Sequence, residues 1–145
     1  MIAVDTTILV YAFRTDSPHH SRARAAVESV ANGRAAWGIP WPCVHEFLSI
    51  ATHPRPYDPP SPIADAVRMI DGLLGVPSVR PLAEGPDHLR VLSDLLGESG
   101  AVGPKVLDAR IAAICLAHGV TELWSADRDF SYFPQLRTRN PLVSP

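Results

Sequence analysis

Residues 1–13 read MIAVDTTILVYAF, and this stretch decides how the fold begins. The apolar run at 2–5 ends in an acid and is typical of a short buried strand. The Asp-Thr pair at its end is a helix-start signal, which predicts a helix over 6–13; extension of the strand through the same residues is the alternative. In both cases Asp5 lies at the carboxyl end of the first strand.

Strand-like and helix-like segments alternate along the rest of the chain. Helices are predicted at 17–32, 42–53, 63–74, 86–96 and 105–118, strands at 35–39, 78–82 and 122–125, and a short helical turn at 127–133. This alternation predicts an α/β fold of three layers, a small central parallel sheet with helices on both faces. The segments 54–62 and 97–104 are predicted loops, and residues 1–145 are expected to form a single domain.

Composition and charge exclude several classes of protein. A hydrophobic content of 46% excludes wholesale disorder, and no apolar run approaches the ~20 residues of a membrane span. The first residues lack the basic segment of a signal peptide, and Cys43 and Cys115 lie in apolar segments, so a reducing cytoplasm is expected. The net charge of −2 argues against a general nucleic-acid coat protein. It leaves a metal-dependent nuclease open, because bound cations offset a locally acidic site.

Asp108 is the acid that fits its surroundings least. It lies in KVLDARIAAICLAH (105–118), a helix that is apolar on nearly every face, so its carboxylate is predicted to be buried. A buried charge is costly unless a cation accompanies it. The local basic residue is Lys105, three positions earlier, so a salt bridge to Lys105 or to a distant arginine is the alternative to a metal ion.

Three further acids are also not explained by an exposed position on a polar helix face. Glu46 lies in the predicted helix PCVHEFLSIAT without a cation three or four residues away, although a partly exposed helix edge would also explain it. Asp5 and Asp127 each follow a strand, and the carboxyl ends of parallel strands meet at one edge of a sheet. Each could instead cap the next helix, and Asp129 could be a cap or a fifth member of the cluster.

Four carboxylates at one edge would repel one another strongly without counterions. Mg²⁺ is a hard cation that takes oxygen ligands and keeps several of its waters. It can polarise a phosphate, lower the pKa of an attacking water and neutralise the leaving oxygen. The acids therefore predict a magnesium site that hydrolyses phosphodiester bonds.

The order of these motifs resembles the PIN domain, and specifically the VapC-type toxins of type II toxin–antitoxin pairs. The resemblance covers about residues 1–140 and rests on VDTTILVYA (4–12), the helix that carries Glu46, the Leu-Asp-Ala of 107–109 and WSADRDF (124–130). It implies a PIN-like fold and a Mg²⁺-dependent endoribonuclease, with Mn²⁺ as a substitute. The implied partners are an RNA substrate, a small cognate antitoxin that silences the toxin, and a second copy of the chain in a homodimer.

The resemblance also implies roles for particular residues. Asp5 and Asp108 are expected to be the main metal ligands, and Glu46 and Asp127 complete the acidic quartet, directly or through water. The supporting residues around the quartet are expected to be Thr6, Ser125 and Asp129. Many relatives have Asn two residues after the first acid, where this chain has Thr7, so one supporting contact is in question.

Two other functions stay open. The chain could be a catalytically inactive PIN-fold module that binds RNA or protein, although such a module would be expected to lose one of the acids. It could also be a phosphatase with Asp5 as nucleophile, although such enzymes usually carry a second acid at the position of Thr7. The nucleotide-binding patterns GxxxxGK[ST] and GxGxxG and the metal patterns HExxH and CxxC are absent from the sequence.

Overall fold

A parallel sheet of five short strands is the centre of the computed structural model, which describes residues 1–143. The strands are β1 (Ile2–Val4), β2 (Trp37–Pro40), β3 (Val79–Leu82), β4 (Glu122–Trp124) and β5 (Thr138–Arg139). Their order across the sheet is β3-β2-β1-β4-β5, so β1 lies in the middle. Val4 is paired with Trp124, which makes β1 and β4 end at the same level.

Six helices accompany the sheet in the described part of the chain. They are α1 (Thr6–Phe13), α2 (His20–Ala31), α3 (Trp41–Ala51), α4 (Ile63–Leu74), α5 (His88–Ser99) and α6 (Lys105–Ala117), followed by a 3₁₀ turn at Arg128–Tyr132. The predicted three-layer α/β fold is confirmed. None of these helices combines the length and the apolar character needed to cross a membrane.

Burial in an apolar core explains how such short strands can form a stable sheet. Strands β1, β2 and β4 are covered on both faces, and α6 is buried continuously from Ile111 to Cys115. Cys43 and Cys115 are both buried free thiols, as their apolar surroundings suggested. Burying apolar surface at about 25 cal/mol per Å² is the main stabilising contribution, because strands of two to four residues make few ladder hydrogen bonds.

Two predicted helix boundaries were wrong for local reasons. The second helix begins at His20 rather than Ser17, because Ser17 and its neighbours form a turn in which the His20 amide donates to the Ser17 carbonyl, 3.1 Å. The fifth helix continues through Gly97, so the predicted loop at 97–104 begins too early. That helix ends at Gly100, whose φ of +70° supplies the left-handed residue that closes a helix.

The sequence also left two structures open for residues 6–13, and one strand of the sheet was not predicted. Residues 6–13 form a helix and do not extend the first strand, since Asp5 is extended and α1 starts directly after it. Strand β5 was not predicted. It has only two residues, Thr138 and Arg139, and both are exposed, so no alternation of apolar and polar residues marks it.

Gly38→Ala is expected to destabilise the protein by about 1–3 kcal/mol, the usual cost of overpacking. A Cβ at Gly38 in β2 would lie 2.6 Å from Cδ1 of Leu82, which is itself buried. The matched control is Gly97→Ala in α5, where a Cβ would meet nothing within 4 Å. That change should stabilise by about 0.5–1 kcal/mol, because alanine favours a helix interior over glycine. Urea denaturation of both variants measures the difference, and equal effects would contradict the packing explanation.

Candidate active site

Asp5 is the buried centre of the acidic cluster, at the carboxyl end of β1. Its side chain is only 3% exposed, and its amide donates to the Trp124 carbonyl, 2.9 Å, which ties it to β4. Oδ2 accepts hydrogen bonds from Ser125 Oγ at 2.7 Å and from Thr7 Oγ1 at 3.3 Å. The Asp5 side chain makes no capping bond to α1, so the alternative that it serves as a helix cap was wrong.

Glu46 is held close to the end of β1 by the hydroxyl of Thr6. Thr6 Oγ1 donates to Glu46 Oε2, 2.8 Å, and Thr6 is adjacent to Asp5 in the chain. Burial raises the pKa of Glu46, the Thr6 hydrogen bond opposes this, and the charges of Asp5 and Asp127 raise it further. The predicted supporting position of Thr6 is therefore a direct contact between α1 and α3.

The sequence left open whether Asp127 caps the next helix or belongs to the acidic cluster, and in the structure it does both. Its Oδ1 accepts a hydrogen bond from the Asp129 amide, 2.8 Å, so Asp127 caps the 3₁₀ turn. Its own amide donates to Ser125 Oγ, 2.9 Å. The Asp127 charge also contributes to the raised pKa of Asp5, Glu46 and Asp108, so the four carboxylates influence one another electrostatically.

Asp108 lies in the first turn of α6 and is partly exposed, so the prediction of a fully buried carboxylate was wrong. The first turn of α6 protrudes, with the preceding Leu107 58% exposed, and the buried face of the helix starts only at Ala109. Partial burial nevertheless raises the pKa of Asp108 to about 6, and the nearby charges of Asp127 and Asp129 contribute. Lys105 partly opposes the shift.

The alternative that the sequence left open, a salt bridge between Lys105 and Asp108, does not form. Lys105 Nζ instead pairs with Asp129 Oδ1 at 2.5 Å and lies 4.7 Å from the centre of the Tyr132 ring. Asp129 is therefore neither a helix cap nor an uncompensated acid. It lies beside Asp108 with a cation of its own, whereas the four carboxylates of the quartet have no ion-pair partner among residues 1–143.

Three residues that contact or influence the quartet were not assigned from the sequence. Thr7 was noted only as a replacement, yet it donates to Asp5 and its Oγ1 also accepts from the Ala126 amide, 3.0 Å. The Cys43 thiol donates to Asp5 Oδ1 at 3.5 Å, and Arg110 lowers the pKa of Glu46 while it pairs with Glu84. Of these three residues, only Thr7 could have been identified from the sequence, because it lies two positions after Asp5.

The chemistry of this cluster fits a hydrated hard cation. Burial raises the pKa values of Asp5, Glu46 and Asp108, and the charges of neighbouring carboxylates raise them further, so a bound cation would stabilise the ionised forms. All the donors are oxygens, as Mg²⁺ and Mn²⁺ prefer. Within residues 1–143, no three His, Cys, Asp or Glu side chains are placed to hold a metal directly. Mg²⁺ commonly binds through one or two carboxylates and keeps several waters, so the quartet fits it in that form.

Asp108→Asn is expected to stabilise the metal-free protein at neutral pH but not in acid. A carboxyl whose pKa is raised by folding favours the folded state below its unfolded value of about 3.9, and that contribution is lost as the pH rises. For Asp108 the loss is complete above a pH of about 6. Urea denaturation in EDTA should therefore give similar free energies of unfolding near pH 4 and a more stable variant at pH 7.5. A less stable variant at pH 7.5 would instead identify Asp108 as a structural salt-bridge residue.

Comparison with known proteins places this arrangement in a family. Residues 2–136 match the family model of the PIN domain, and the chain belongs to that family. Among its relatives are ribonucleases VapC43 and VapC33 from Mycobacterium tuberculosis, each 35% identical over 142 residues. The alignments cover 98% of this chain and 96% and 99% of the two relatives. The resemblance to VapC-type PIN domains is therefore confirmed.

Solved structures give the same fold at low sequence identity. The VapBC2 complex of Rickettsia felis, bound to a promoter DNA fragment, is 18% identical with a TM-score of 0.68 and covers 97% of this chain and 98% of its own. VapC20 of Mycobacterium tuberculosis, described as a sarcin-ricin loop cleaving toxin, is 18% identical with a TM-score of 0.67. It covers 94% of this chain and 99% of its own. At this identity the two structures support the fold alone.

Proposed function

We propose that this chain is a Mg²⁺-dependent endoribonuclease and the toxin of a type II toxin–antitoxin pair. The observation that carries the proposal is the convergence of Asp5, Glu46, Asp108 and Asp127 from four distant parts of the chain. Raised carboxylate pKa values are costly in a folded protein and are common where carboxylates work in catalysis or metal binding. A purely structural role would not require the cluster.

The names of the relatives support the proposed substrate class and partner. VapC43 and VapC33 are named ribonucleases, and each aligns with nearly the whole of this chain. The Rickettsia felis structure is a VapBC complex, which supports a small antitoxin as the partner of this chain. The proposal extends to a homodimer that acts in the cytoplasm.

Each residue of the quartet is assigned a role in binding the metal ion. Asp5 and Asp108 would hold the metal, and Glu46 and Asp127 would complete its surroundings directly or through water. Bound Mg²⁺, or Mn²⁺ in its place, would polarise the scissile phosphate and activate a water at neutral pH. Ser125 keeps the Asp5 carboxylate in one orientation, because it donates to Oδ2.

The test is cleavage of a labelled single-stranded RNA by the purified chain, first treated with EDTA. We expect no cleavage in EDTA and recovery when Mg²⁺ or Mn²⁺ is added in excess. Undiminished cleavage in EDTA would contradict metal dependence. RNA binding without cleavage at any metal concentration would favour the inactive binding module. Hydrolysis of a phosphomonoester through a covalent phosphoaspartate at Asp5, without RNA cleavage, would favour Asp5 as a nucleophile.

A further inference from the structure

A surface pocket lies between α2 and the edge strand β5. It measures about 530 Å³, and Arg22, Ser29, Trp124, Arg139 and Pro141 are among its lining residues. Trp124 directly precedes Ser125, which donates to Asp5. The pocket itself contains none of the four acids.

Two guanidinium groups line this pocket, and both are held in place. Arg22 Nη1 donates to the Leu142 carbonyl at 2.7 Å, and the Arg139 guanidinium lies 5.8 Å from the centre of the Trp124 ring. Neither forms an ion pair within residues 1–143. The nearby carboxylate of Glu122 is already engaged, since it accepts from Trp124 Nε1 at 2.9 Å and pairs with Arg137 at 3.2 Å. The pocket thus carries positive charge that the described residues leave unbalanced.

A polar groove joins the pocket to the quartet. Its lining residues include Ser125, Asp127, Arg128, Thr138 and Asn140, and Val143 lines both the groove and the pocket. Thr138 and Asn140 flank Arg139 in the chain, and successive residues of a strand point to opposite faces. The groove and the arginine pocket therefore lie on the two sides of β5, connected around its end.

We propose that the pocket formed around Arg22 and Arg139 binds a backbone phosphate of the RNA outside the scissile bond. The inference rests on the proposed function, because it assigns the site to the same substrate. A cation at the quartet can offset the scissile phosphate, but the acids repel the phosphates on either side of it. The net charge of −2 offers no general attraction, so a flanking phosphate needs a local cation.

The chemistry of the pocket favours a phosphate over a base. Arginine presents a planar fork of donors that matches phosphate oxygens in pairs. Base stacking would require an open aromatic face, but Trp124 is only 7% exposed and Arg139 lies over its ring. Phosphate contacts position a strand without reading its sequence, so this site would set the path of the RNA and not the cleavage sequence.

The experiment measures binding of a labelled single-stranded RNA in EDTA, at several salt concentrations, by fluorescence anisotropy. The variants are Arg22→Gln, Arg139→Gln and the double variant. The control is Arg80→Gln on β3, at the opposite edge of the sheet. Arg80 likewise donates to backbone carbonyls, those of Pro77 and Val79, and has no ion-pair partner in the described part of the chain. All three single changes remove one positive charge.

We expect the double variant to bind the RNA about tenfold more weakly, the loss of about one charge-assisted contact. We also compare the slope of the logarithm of the binding constant against the logarithm of the salt concentration. In the double variant this slope should be less negative by about 0.7, the value for one phosphate of a single strand. Arg80→Gln should change neither quantity. Unchanged affinity and slope in the double variant, or an equal loss in Arg80→Gln, would overturn the proposal.

RNA cleavage measured with Mg²⁺ distinguishes a failure of the phosphate-site proposal from a failure of the proposed ribonuclease function. If both hold, the double variant raises KM for the RNA about tenfold, in line with its weaker binding, and leaves kcat unchanged. If the wild type binds RNA through Arg22 and Arg139 but never cleaves it, the phosphate site stands and the ribonuclease assignment fails. If the wild type cleaves and the double variant keeps its KM, the assignment stands and the phosphate site is overturned.

Discussion

Asp5→Asn will lower the rate of RNA cleavage by more than about a hundredfold, beyond the 10–100-fold typical of residues that only support a metal ligand. The amide keeps the shape of the side chain and can still accept from Ser125, but it loses the charge that would bind Mg²⁺. Glu46→Gln and Asp108→Asn are expected to act in the same direction. Initial rates at saturating Mg²⁺ measure the effect, and thermal melts show whether the fold is kept.

The matched control for this substitution is Asp71→Asn. Asp71 is an exposed acid of α4 that lies outside the quartet, and its replacement removes the same charge. We expect wild-type rates from this variant. Full activity of Asp5→Asn, with an unchanged melting temperature, would remove Asp5 from the site.

Ser125→Ala will raise the Mg²⁺ concentration needed for half-maximal cleavage by about 10–100-fold, the usual cost of losing a group that orients a metal ligand. The Ser125 hydroxyl donates to Asp5 Oδ2 and accepts from the Asp127 amide, so one atom holds two acids of the quartet in place. Alanine leaves a buried carboxylate oxygen without its shortest hydrogen bond. A titration of the cleavage rate with Mg²⁺ measures the change.

Ser93→Ala serves as the control for this second substitution, because Ser93 is exposed on α5, outside the quartet. It should leave the Mg²⁺ dependence unchanged. A Ser125→Ala variant with the wild-type Mg²⁺ dependence would show that Asp5 keeps its orientation without the hydroxyl. The supporting role of Ser125 would then be wrong.

The sequence predicted the fold because its signals are local and repeated. An apolar run that ends in Asp5 marked the first strand, and helical spacing of apolar residues marked α4. Element ends were less certain, since turns such as that at Ser17 depend on backbone hydrogen bonds that no residue pattern specifies. Strand β5 could not be seen, because two exposed residues form it by pairing with a neighbour distant in the chain.

The acidic quartet could be predicted from placement alone, but its contacts could not. Asp5 and Asp127 follow strands that lie side by side, so topology brings them together. Helical spacing offered Asp108 as a possible partner of Lys105, whereas the fold brings Asp129 within 2.5 Å of it. The contact of Cys43 with Asp5 joins two elements 38 residues apart, and an apolar segment gives no indication of it.

Binding of Mn²⁺, followed by the loss of the free-ion signal in electron paramagnetic resonance, tests the metal assignment most directly. Mn²⁺ takes the same oxygen ligands as Mg²⁺ and can be detected without any substrate. Wild-type protein and Asp71→Asn are expected to bind Mn²⁺ and to release it when Mg²⁺ is added in excess, whereas Asp5→Asn and Asp108→Asn should bind it much more weakly. Equal Mn²⁺ binding by all four proteins, or none by the wild type, would contradict a metal centre built on Asp5 and Asp108.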